Sequence, residues 1–256
     1  MVDMIFIGRL GGDAIAGVAF NMPLFFLMLG LTMGLGSGVT ASIARYIGNN
    51  NKVNADNSAE HALAMAGAIA VVFTIAGLVL GKDLLAKLGA EGIILELAWD
   101  YLYVIVVGLP FMVFSGFFRS ILAGEGDMKL PMLVAGFGTI LNIILDPIFI
   151  FKLENYGGIG FGLGIKGAAL ATVVCQAIVF LIFVYMLFVK KHAYITFNLR
   201  DFSPSKVILC DIIKVGIPAS LSMVIMALGQ GVFNKILIHY SSQTVAAYQV
   251  AGRLDM

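Results

Sequence analysis

Long apolar runs parted by short polar stretches set the pattern of this chain. Crossing about 30 Å of hydrocarbon takes roughly 20 helical residues, and runs of that length are predicted over Ala14 to Arg45, Ala59 to Leu80, Ile93 to Leu122, Leu130 to Phe151, Ile165 to Val189 and Val207 to Tyr240. Residues 1 to 9 are apolar but too short to span, and read as the end of a helix whose beginning is absent. Ser241 to Met256 reads as the start of an eighth helix. The connections are an Asn-rich loop over Ile47 to Ser58, a stretch from Gly81 to Gly92 with Lys82, Asp83 and Lys87, a charged turn from Arg119 to Lys129, a Gly-rich loop over Gly157 to Gly164, and the long polar segment Lys190 to Lys206, which divides the chain.

The 256 residues are 60% hydrophobic and 12% charged, with a mean hydropathy of +0.99, so the fold class expected is an all-α integral membrane protein. A formal charge of +1 gives no basic stripe for nucleic acid. Cys175 and Cys210 lie in separate apolar segments, as packing residues, and His61, His192 and His239 fall near segment ends, as interfacial ones. No pattern for a hydrolase nucleophile, a zinc site or a phosphate loop is present, no cofactor is implied, and an enzyme is not expected. Glu96 and Asp100 sit in the first turns of their span and read as interfacial acids. Gly30 and Gly34 form a GxxxG spacing suited to close helix contact.

The candidate chemistry lies in Leu141 to Phe151, LNIILDPIFIF. Asn142 and Asp146 are four residues apart and share one helix face. An ionised carboxylate at membrane depth costs about 2.5 to 3.5 kcal/mol on insertion scales, which marks Asp146 as part of an ion or proton path. Pro147 cannot donate to the carbonyl of Ile143, leaving that oxygen free one residue beyond Asn142. Amide, carboxylate and carbonyl together suit a hard cation; the structural alternative is an interfacial acid held near water by the loop from Lys152 to Gly158.

Basic residues counted loop by loop put Arg45, Lys52, Arg119, Lys129, Lys190, Lys191, Arg200 and Lys206 on one side, and Arg9, Lys82, Lys87, Lys152 and Lys166 on the other. The richer side is expected to be cytoplasmic. Sliding the chain by 231 residues aligns Asp3 to Ala16 with Asn234 to Ala247 in apolar pattern, a weak sign of two related bundles.

The stretches VDMIFIGRLGGDAIAGVAF, GEGDMKLPM, LNIILDPIFIF, GIKGAALATVVCQ, GIPASL and VAAYQVAGRL, in that order, resemble the multidrug and toxic compound extrusion (MATE) transporters. The resemblance implies twelve helices in two six-helix lobes around a central cavity, in a monomeric protein of the cell membrane that exports amphipathic, often cationic compounds in exchange for sodium or protons. Residues 1 to 189 would be the first lobe, 190 to 206 the inter-lobe loop, and 207 to 256 the start of the second lobe. On this count the chain is expected to be a piece of a longer protein or a truncated, inactive reading frame.

Carried over by the same resemblance, the first-lobe cation site falls on Asp3, Asn142, Asp146 and Thr172. The two acids would supply charge and the other two neutral oxygens, with Thr172 alternatively bonding its own helix. Glu154 to Phe161 looks like an insertion, and Met226 stands where some members carry an acid. A buried carboxylate is neutral with a proton and charged beside a cation, so such a pair can alternate between the two and drive exchange. The alternative within the same superfamily is a flippase for lipid-linked sugars. The loop charges predict that a cysteine near Asn50 or Tyr194 is shielded from an impermeant thiol reagent in intact cells while one near Gly157 reacts; the reverse labelling pattern would overturn the orientation.

Overall fold

The computed structural model describes residues 2–152, 160–190, 192–197 and 202–240, with 2–4, 223, 226–228 and 230–240 described by backbone alone. Seven α-helices follow one another: α1 (Val2–Gly8), α2 (Gly12–Gly48), α3 (Lys52–Lys87), α4 (Gly92–Glu125), α5 (Lys129–Ile150), α6 (Ile165–Val184, continued by a π-helical turn Tyr185–Val189) and α7 (Lys206–Tyr240). The helices from α2 to α6 are each long and apolar enough to cross a membrane. Their outward faces stay apolar, with Val79 69% and Leu133 67% exposed, as lipid-facing surfaces do. The expected eighth helix, residues 154–159 of the insertion Glu154 to Phe161, and the side chains of Asp3 and Met226 lie outside the described residues.

Three boundaries differ from expectation. The Asn-rich stretch is mostly helix, because Asn51 caps α3 by accepting the Asn54 N–H at 3.1 Å and so lets the helix begin at Lys52. At its other end α3 runs on through Lys82 and Asp83 to Lys87, since Leu85 is fully buried there. The charged turn is shorter than expected: Ile121 and Leu122 pack in the main core beside Val39 and Ile43, which carries α4 to Glu125. Gly126 then ends it in the left-handed conformation, φ 90°.

Helix α2 sits at the centre of the bundle and packs most extensively on α7 and α4. Gly36 meets the Ser120 side chain of α4, and the Thr40 hydroxyl donates to the Ser120 carbonyl at 2.8 Å. Helices α5 and α6 pair through Gly167, where a Cβ would collide with the Phe149 carbonyl, and through Gly138 against Val179.

The loops sort into two ends. At the end carrying Arg45, Lys52 and Lys129, residues 192–197 are strapped to the bundle: Glu125 accepts the N–H groups of Tyr194 and Ile195, Asp56 accepts that of Thr196, and His192 meets Asp127 at 3.1 Å. His61, at the loop end of the bundle, is buried. Its Nε2 accepts the Ser205 N–H at 2.9 Å, which leaves Nδ1 as the donor to the Asn57 carbonyl. Cys175 packs inside as expected, whereas Cys210 is exposed. At the opposite end Asp100 pairs with Lys166 at 3.1 Å on a half-exposed surface, as interfacial groups do.

Burial alone would raise the pKa of Asp127, but the N–H groups of Leu130 and Lys129, helped by His192, outweigh it and hold the carboxyl below the usual range. The stabilisation from a lowered carboxyl pKa is present above about pH 4 and fades as pH falls through the lowered value. The packing gives a paired prediction. Gly167→Ala should cost about 1–3 kcal/mol because the Phe149 backbone must give way, whereas Gly136→Ala, with open space at its Cβ, should be neutral or stabilising. Thermal unfolding in detergent checks both; equal effects would contradict the close α5–α6 contact.

Candidate functional site

Helix α5 sets the site. Asn142 and Asp146 lie one turn apart, and the Asn142 amide donates to Asp146 Oδ1 at 3.0 Å. Asp146 is 0% exposed, and Asn142 is half-buried. Because α5 ends at Ile150, the acid stands four residues from the helix end, about 6 Å along the axis, instead of at mid-span. It is nonetheless closed off from water. The chain turns back after Phe161 and its N–H groups cap α5: Phe161 to the Ile148 carbonyl at 2.8 Å, Leu163 to Phe149 at 3.0 Å, and Gly164 to Ile150 at 3.1 Å. Helix α1 closes another side, with Ile7 packed among Ile150, Ile165 and Ala168.

Of the other expected residues, Thr172 is half-buried on α6, and its hydroxyl donates to the Ala168 carbonyl of its own helix at 3.1 Å. That bond uses its hydroxyl proton. Asp3 lies in α1 by backbone, and its side chain is outside the described ones. Helices α1, α5 and α6 pack on one another, so all four residues sit on mutually contacting elements. Asn142 faces the carboxylate through its N–H and not its oxygen. Among the described residues no group of three His, Cys, Asp or Glu could hold a metal; α5 and α6 offer one described carboxylate and neutral oxygens. That donor set suits a weakly held, exchangeable hard cation or a proton.

A second feature was not located by sequence reasoning. A cavity of about 580 Å³ opens between α2, α4, α5 and α6, lined by methionines such as Met28, Met112 and Met132 and by the hydroxyl-bearing Thr40 and Ser120. Its one charged lining residue among the described residues is Arg119. The arginine falls where the predicted span Ile93 to Leu122 and the predicted turn Arg119 to Lys129 overlap, and it lies within α4, six residues or about 9 Å before the helix end. The signal for it was the apolar Phe117, Phe118, Ile121 and Leu122 around it, which continue the helix. Three of the four cavity walls, α2, α5 and α6, are also the neighbours of α1.

An apolar multi-helix bundle with a sealed acid in one half and a methionine-lined cavity in the other is the construction of a membrane transporter. Residues 1–148 match the MatE family, and the chain belongs to it. Over 258 residues it is 30% identical to the probable multidrug resistance protein YoeA of Bacillus subtilis, covering 99% of this chain and 55% of that protein. Over 255 residues it is 28% identical to an FAD transporter of Shewanella oneidensis, covering 100% and 55%. A solved multidrug resistance MATE family transporter of the MOP superfamily, in an inward-facing conformation, superposes with a TM-score of 0.89 at 39% identity, covering 98% of this chain and 56% of that one. The chain spans about half the length of the curated relatives it matches.

The site yields its own prediction. Asn142→Ala removes the donor to a buried carboxylate and should cost about 1–3 kcal/mol, while Thr139→Ala on the exposed face of the same helix stays within about 0.5 kcal/mol. Unfolding temperatures in lipid nanodiscs measure the difference; no difference would mean that the Asn142 bond is not made.

Proposed function

We propose that this chain is the first lobe, with the start of the second, of a cation-coupled antiporter that exports amphipathic, often cationic compounds across the cell membrane. The observation that carries the reading is Asp146, fully buried in a membrane-spanning helix and bonded to the Asn142 amide. A buried carboxylate is tolerated when a proton or a cation neutralises it, so the site exchanges one for the other. Asp3 supplies the second charge, and Asn142 and Thr172 supply neutral oxygens. Sodium and protons both suit this donor set. Cargo binds in contact with the methionine-lined cavity, whose polarizable, flexible side chains adapt to varied shapes. Relatives bearing multidrug resistance names support the cargo class.

One observation favours a second reading. Arg119 gives the cavity a positive charge, which suits the phosphate of a lipid-linked sugar and hence a flippase. The same charge would suit an anionic cargo such as the one the FAD transporter is named for.

Expressed in a form carrying both lobes, in cells stripped of their own pumps, Asp146→Asn should abolish coupled drug efflux and leave membrane insertion intact, since it removes charge without volume. Near-normal efflux would sink the assignment. For the second reading, Arg119→Ala should leave drug efflux intact and abolish lipid flipping; loss of neither removes the flippase.

A further inference from the structure

Helices α2 and α7 approach more closely than any side chain larger than hydrogen allows. A Cβ on Gly38 would collide with the Ile212 carbonyl, one on Gly34 with the Ser220 backbone, and one on Gly216 would stand 2.9 Å from the Leu35 Cα. These contacts run antiparallel, 34 against 220 and 38 against 212 to 216. At the open end of the crossing, one turn and more beyond Gly38, the Arg45 guanidinium donates to Asp211 Oδ2, and the Tyr46 hydroxyl reaches the same oxygen at 3.3 Å. The guanidinium carbon lies 5.1 Å from the centre of the Tyr46 ring. Both side chains of the ion pair are partly exposed, 52% and 27%.

The two contacts respond differently to force. The glycine crossing depends on van der Waals fit and is lost over a fraction of an ångström. The ion pair is weak, screened by salt, and acts over a longer distance. Apart from α2, α7 touches only α3 to any extent among the described helices, so separating it from α2 frees it from most of the bundle. The strap before it stays attached, with Ser203 and Ser205 bonded to Asn57 and His61 of α3. Asp211 therefore remains within a few residues of a fixed point and can find Arg45 again after release.

We propose that Arg45, Tyr46 and Asp211 form a latch that holds this end of the α2–α7 crossing shut, and that its release lets α7 swing away from α2. The proposal rests on the transporter reading, in which a central path must open and close. Arg45 and Tyr46 supply two donors and Asp211 one acceptor, so loss of Asp211 releases both contacts at once. The glycine crossing then provides the closed geometry and the ion pair biases its population.

The test is a distance measurement on the purified chain in nanodiscs. Spin labels go on Ala41→Cys and Val215→Cys, exposed positions about one helical turn apart along the crossing, in a Cys210→Ser background with Cys175 left buried. The unaltered latch should give one short distance population. Asp211→Asn or Arg45→Ala should raise the fraction of a longer population about two- to fivefold, the range expected for an exposed ion pair. Raising the salt on the unaltered latch should do the same, which keeps the test open if a variant fails to fold. Unchanged distributions in both variants and in high salt would overturn the latch. Transport is not read here, so a failed latch and a failed antiporter are told apart by efflux through Asp146→Asn.

Discussion

Helix α2 packs in the middle of this bundle because glycines on its contact faces let its neighbours approach closely. Inside a bilayer, lipid tails are as apolar as leucine, so burial alone does not drive helices together, and close van der Waals fit must do it. Gly34 and Gly38 let the α7 backbone in on one side, and Gly36 with Thr40 admits Ser120 of α4 on another. A methyl group on the α7 side would separate the two helices. The positions of α4 and α7, and through α4 those of α6 and α3, follow from this constraint.

That packing distributes the chemistry along the bundle. The acid lies near the end closed by α1 and the Phe161 to Gly164 turn, and Arg119 lies toward the opposite end. On the proposed reading, the exchangeable cation and the cargo would meet groups of different sign in different halves of one lobe. Such polarity suits a protein that must favour different occupants in different packings, because a ligand shifts a conformational equilibrium only by its differential affinity.

Much of this was legible in the apolar pattern. The spans were found because membrane length is a strong signal, and Asn142 with Asp146 stood out because charge at membrane depth is costly. The misreadings share a cause. Lys82, Asp83 and Arg119 look like loop residues by polarity, yet they lie within helices whose burial is fixed by neighbours such as Leu85, Ile121 and Leu122. The burial of His61 was not legible, because its partner Ser205 is 144 residues away and nothing in the local pattern announces it. The GxxxG spacing is visible at Gly30 and Gly34, but the helix that meets Gly34, α7, is not. Tertiary partners at long range carry no periodic signature.

The account stands on Asp146 being a carboxylate that exchanges a proton for a cation. Infrared difference spectroscopy on the purified protein in lipid, between low and high pH and with or without sodium, reads that exchange directly. The account predicts a protonated-carboxyl band that is lost as pH or sodium rises and is absent from Asp146→Asn. A spectrum in which no carboxyl band responds to either, or in which the responding band survives Asp146→Asn, would contradict it.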